Sequence, residues 1–86
     1  MDSPAKTKVL QFLNSKGEIP GATEEEQLRY AYLENRLIDS MGIIEMVVEF
    51  ESQFGIQFSP DHMSSQEFQT VGGLIALIER LQAESR

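Results

Sequence analysis

The sequence predicts an all-α fold, a small antiparallel bundle of three main helices plus one or two short helices. Three observations carry this expectation. Apolar residues recur at helical spacing, capping residues and glycines bracket those segments, and no stretch shows the alternation of a strand. With 86 residues the chain forms one domain over 1–86, with a single core.

The first helix is expected to open at Ser3-Pro4, a cap followed by proline at the first helical position. Val9, Leu10, Phe12 and Leu13 form its apolar stripe, and Gly17 stops it. Glu18 to Gly21 reads as a turn. Thr23 with Glu26 three residues later is a capping box, so a short helix carrying Leu28, Tyr30 and Tyr32 is expected to begin there. The segment from Asp39 to Phe54 is the clearest helix, capped by Asp39 and ended by Gly55. Ser64 and Glu67 have capping-box spacing and are expected to head a short helix ending near Phe68. Thr70 caps a last helix whose apolar face is Val71, Leu74, Ile75, Ile78 and Leu81.

Composition excludes several classes of function. No apolar run approaches the length that crosses a bilayer, and Met1-Asp2-Ser3-Pro4 lacks the apolar core of a signal peptide. The absence of cysteine removes thiolate metal sites and thiol nucleophiles and fits a reducing compartment, so a cytoplasmic location is expected. The net charge of −7 disfavours nucleic acid and anionic membranes as partners. No Lys or Arg occurs between Arg36 and Arg80, whereas Asp39, Glu45, Glu49, Glu51, Asp61, Glu67 and Glu79 all fall there. Such a surface either serves solubility alone or docks on basic partners. His62, the one histidine, has no sequence reason to meet a serine, and neither metal-ligand spacing nor a glycine-rich phosphate loop is present.

At about 100° per residue the helix after Asp39 separates into two apolar faces. Ile43, Met46, Val47, Phe50 and Phe54 form one, the core stripe. Met41, Ile44 and Val48 form the other, with Glu45 beside them and Glu51 at the edge. The second face either packs under the connection from Gly17 to Asp39 or stays exposed as an acid-rimmed contact surface. Exposure is expected for Met41 and Val48, while Ile44 is divided evenly between the two. Ser40 heads this face. Asp-Ser is also ordinary helix-start composition, yet free N–H groups at a helix start favour a phosphate.

The stretch from Leu37 to Ile56 resembles the acyl carrier protein family. The likeness rests on Asp39-Ser40-Met41 opening an acidic helix and on Phe54-Gly55-Ile56 ending it, and it extends through the final helix. The resemblance implies an acyl-carrier-like bundle that is not an enzyme. Ser40 would receive 4'-phosphopantetheine from coenzyme A, with Asp39 beside it. The arm would hold acyl groups as thioesters for enzymes of fatty acid, polyketide or related specialised biosynthesis. Met41, Ile44, Glu45, Val48 and Glu51 would dock phosphopantetheinyl transferase and synthase partners through their basic patches. Met46, Val47, Phe50, Phe54, Ile75 and Ile78 would line an acyl cleft, although they are first of all core residues. A monomer is expected. Met41 and Gly42 depart from the commonest fatty-acid pattern, and Ser59 to Met63 looks closer to specialised carriers, including aminoacyl carriers. Two alternatives therefore stand: an aminoacyl or peptidyl carrier, and an arm-free helical adaptor that binds basic surfaces.

Overall fold

The computed structural model describes residues 4–84. In chain order these form α1 (Pro4–Lys16), α2 (Glu24–Leu28), α3 (Ser40–Phe54), α4 (Pro60–Ser64), a 3-10 helix (Gln66–Gln69) and α5 (Val71–Glu84). No strand occurs among the described residues, and the three long helices are those the periodicity predicts. Ser3, the expected cap of α1, lies outside the described residues.

α1 buries Ala5, Val9 and Leu13, residues four apart that share one face of the helix. Leu10 and Phe12 pack half-buried at the margins of that face. Phe12 meets Phe50 of α3 edge-on, with ring centroids 5.6 Å apart, and Phe54 continues the aromatic row at 5.8 Å from Phe50. From α5 come Val71, Leu74, Ile75, Leu77, Ile78 and Leu81, all buried. These faces close on one core.

The connection between α1 and α3 is ordered by its own apolar residues. Ile19, Tyr32 and Ile38 are buried, and Leu28, Tyr30, Leu33 and Leu37 pack against the core. The Thr23–Glu26 capping box forms as the spacing predicts, and Glu26 Oε2 also accepts the Ala22 N–H at 2.7 Å. However, α2 ends at Leu28, so Tyr30 and Tyr32 lie in the connection after it rather than in the helix. Further along, the buried Tyr32 hydroxyl donates to the Phe68 carbonyl. The Val71 N–H donates to the Tyr30 carbonyl at 3.1 Å. Burial pushes the Tyr32 hydroxyl well above the ordinary phenol range, so it stays a donor at any moderate pH.

The short helix expected to end near Phe68 is present as the 3-10 helix Gln66–Gln69, but without its expected cap. The Ser64–Glu67 capping box does not form; Ser64 Oγ instead donates to the Pro60 carbonyl at 2.9 Å, as part of the end of α4. A separate short helix, α4, starts at Pro60, where Ser59 accepts the His62 N–H and His62 Nδ1 accepts the Ser59 N–H, both at 3.1 Å. Proline at the first helical position and a reciprocal cap together favour this start. Ser65 then has extended backbone and no side-chain cap, and the following residues tighten into the 3-10 helix.

Thr70 caps α5 as expected, its Oγ1 accepting the Gly73 N–H at 3.0 Å. Glycine is required at 73 because a Cβ there would overlap the Glu67 carbonyl oxygen. The helix therefore sacrifices propensity in its first turn for close approach to the 3-10 helix.

Candidate functional site

The start of α3 is built by a buried residue followed by two exposed ones. Ile38 is sunk in the core and anchors the chain, after which Asp39 and Ser40 emerge to solvent. Asp39 has extended backbone (φ −91°, ψ −176°) and its Oδ1 accepts the Gly42 N–H at 2.8 Å, a true N-cap. Ser40 is the first helical residue, and its hydroxyl makes no hydrogen bond among the described residues. Gly42 is buried, and a Cβ there would sit 3.2 Å from Ile38 Cβ and 3.3 Å from Asp39 Oδ1. Gly42 thus lets the cap and its anchor close on the helix.

Space opens on both sides of this corner. A cavity of about 260 Å³ is lined by Arg36, Ile38, Asp39 and Ser40. Across Asp39 a second one, about 300 Å³, reaches Lys16, Met41 and Glu45. Down the helix a shallow groove of about 680 Å³ runs past Ile44, Val48 and Ser52.

The second face of α3 is open. Met41, Ile44 and Val48 are 65, 56 and 60% exposed, which decides Ile44 in favour of exposure. The apolar residues that could have covered them, Leu33, Leu37 and Ile38, turn to the core instead. Glu45 lies on this face with Lys16 Nζ 3.0 Å from its Oε2. Glu51 is turned away from the centre of the face: its Oε2 accepts the Phe58 N–H at 2.9 Å and so fastens the loop after α3. Of the six residues expected to line an acyl cleft, Met46, Phe50, Ile75 and Ile78 are buried and Val47 and Phe54 half-buried, all within the common core.

Lys16 and Arg36 escaped the sequence reading. Lys16 is 29 residues from Glu45, and no local pattern joins them. Arg36 stands only four residues before Ser40, and its place as the last cation ahead of an acidic stretch was the available signal. His62 is committed to the α4 cap. Among the described residues no group of three or more His, Cys, Asp or Glu is placed to hold a metal ion, and no helix is long and apolar enough to cross a membrane.

A family model described as a phosphopantetheine attachment site matches residues 38–78, which open on this corner and run into α5. The chain is 32% identical over 76 residues to a D-alanyl carrier protein of Leuconostoc citreum, covering 88% of this chain and 94% of that protein. A D-alanyl carrier protein of Leuconostoc mesenteroides is 30% identical with the same coverage. The chain belongs to the phosphopantetheine-binding carrier proteins. A third relative, a D-alanyl carrier protein of Lacticaseibacillus rhamnosus, is 29% identical over 82 residues, 94% of this chain and 98% of that protein. The carrier is not a catalyst; it bears a covalent 4'-phosphopantetheine and serves enzymes that load and unload it, a phosphopantetheinyl transferase among them. The site fits such a group. An exposed, unengaged hydroxyl at a helix start faces open space, and the helix N–H groups there favour a phosphate.

Proposed function

We propose that Ser40 bears the phosphopantetheine arm and that the cargo on it is an aminoacyl group held as a thioester. The observation that carries the first part is the free, exposed Ser40 hydroxyl behind the Asp39 cap. In the transfer, a bond forms between Ser40 Oγ and the β-phosphorus of coenzyme A. The bond from that phosphorus to the adenosine bisphosphate breaks, and the hydroxyl proton passes to a base on the transferase. When attached, the arm supplies the thiol that holds the cargo. The aminoacyl assignment is supported by the names of the relatives, all D-alanyl carriers, rather than by any lining residue. It replaces the fatty acid and polyketide cargoes that the broader resemblance implied.

The exposed face of Met41, Ile44, Glu45 and Val48 is the docking surface in this reading, apolar at its centre and acidic at its rim. Basic patches on the transferase and on the aminoacylating enzyme would meet it, with encounter speeded by charge. Glu51 contributes at the edge while holding the Phe58 N–H. The six core residues that could shelter a long chain are packed against one another, and a small aminoacyl cargo needs no such shelter. Their role as a cleft is kept for the case of an acyl cargo.

Intact mass after incubation with coenzyme A and a promiscuous transferase tests the arm. The protein should gain one phosphopantetheinyl group, and Ser40→Ala should gain none while remaining helical. Mass spectrometry of the protein from its native cell, with thioesters preserved, tests the cargo. A fatty acyl or polyketide chain on the thiol would overturn the aminoacyl assignment.

A further inference from the structure

Arg36 lines the cavity of about 260 Å³ beside Ser40, together with Ile38 and Asp39. Its backbone has φ 56°, the one positive φ of a non-glycine residue among the described residues. Glycine or asparagine occupies such a position with less steric cost, so an arginine there is present for its side chain rather than for the turn. Chemistry supplies a reason. The Asp39 carboxylate is fixed at this corner by the Gly42 N–H. A phosphodiester on Ser40 would place a second negative charge beside it, and the two would repel.

Four other cations of the chain are engaged. Lys16 pairs with Glu45 at 3.0 Å, Arg29 with Glu25 at 2.6 Å, and Lys6 with Glu24. Arg80 pairs with Glu67 at 2.9 Å. Arg36 makes no ion pair among the described residues. A guanidinium is a planar fork of donors suited to two oxygens of one phosphate.

We infer that Arg36 is a positioning residue for the arm, its guanidinium donating to the non-bridging oxygens of the phosphodiester on Ser40 and offsetting the charge of Asp39. This rests on Ser40 as the attachment point. The arginine leaves the thiol end free and fixes only the root.

The test compares apo and holo forms of the unsubstituted protein, Arg36→Gln, Arg36→Lys and Arg36→Gly. Two readouts are used, the folding equilibrium in denaturant and the phosphorus-31 chemical shift of the phosphodiester. Attachment of the arm should favour folding about threefold more in the unsubstituted protein than in Arg36→Gln at low salt, with most of that difference lost near 1 M salt. The phosphorus shift should move with Arg36→Gln and return towards the original with Arg36→Lys. Arg36→Gly should stabilise the apo form by relieving the positive φ, yet respond to the arm as Arg36→Gln does. The same apo-to-holo change in the unsubstituted protein and Arg36→Gln, with an unmoved phosphorus resonance, would overturn the role of Arg36 alone. Absence of any added mass, or addition at a residue other than Ser40, overturns both this inference and the attachment reading.

Discussion

Lys16 Nζ lies 3.0 Å from Glu45 Oε2 and 5.4 Å from the centroid of the Phe12 ring, so the last turn of α1 holds the acid at the rim of the exposed α3 face. Both side chains are substantially exposed, and the pair contributes little to folding. If the exposed α3 face docks partners as proposed, the effect of the pair falls on that encounter. A basic partner that reaches Glu45 must share it with, or displace, the chain's own lysine.

Lys16→Gln should therefore change stability by no more than about 0.5 kcal/mol. At low salt it should raise the kcat/KM of transferase loading about twofold, by freeing Glu45 and removing a repelling cation. Glu45→Lys should lower the same constant severalfold, and both effects should shrink as salt is added. Equal rates for all three proteins at low ionic strength would remove Glu45 from the docking surface.

The two faces of α3 should respond oppositely to a carboxylate. Val48→Asp places a charge in water and should cost about 0.5 kcal/mol or less, while weakening loading by removing apolar contact. Met46→Asp buries an unpaired charge in the core and should cost roughly 3–5 kcal/mol. Denaturant titration of the two proteins, alongside loading rates, checks this. Similar unfolding midpoints would show that the split between the faces is wrong.

Tyr32→Phe should cost about 1–2 kcal/mol, since the Phe68 carbonyl loses its buried donor. The alkaline limb follows from the raised titration of this hydroxyl. The folded state holds the proton more tightly than the unfolded one, so the contribution is complete below about pH 10 and declines as pH rises beyond it, by up to about 1.4 kcal/mol per unit. Stability measured from neutral pH to pH 11 should fall less steeply in Tyr32→Phe. Parallel curves would mean that Tyr32 ionises as readily folded as unfolded.

Gly73→Ala tests a sign. Helix propensity alone favours alanine by about 1 kcal/mol. Overlap of the new Cβ with the Glu67 carbonyl oxygen should reverse this and cost about 1–3 kcal/mol. A gain in thermal stability would show that the 3-10 helix yields to the methyl group without loss.

Much of this molecule was legible because its signals are local. Asp39, Gly55 and the apolar spacing between them define α3, and the same 100° rotation that identifies its core face isolates Met41, Ile44 and Val48. Thr23 and Glu26 form their box for the same reason. The Ser64–Glu67 pattern failed because an equivalent cap, with His62 in the place usually held by Glu or Gln, lies five residues upstream behind a proline. Val47 was assigned fully to the core and is only half-buried, since it lies at the margin between the two faces. The Lys16–Glu45 pair and the positive φ of Arg36 depend on how separate segments meet, and spacing carries no trace of them.

The hydrogen bonds from Tyr32 to Phe68 and from Val71 to Tyr30 join the middle of the α1–α3 connection to the distal part of the chain. Ile38 then seats the last stretch before Asp39. On the proposed attachment, a tether rooted at Ser40 would swing from a fixed hinge pin. Its working radius is set by the tether's own rotatable bonds, so a partner enzyme can find the cargo by grasping the helix and leaving the rest to the length of the leash.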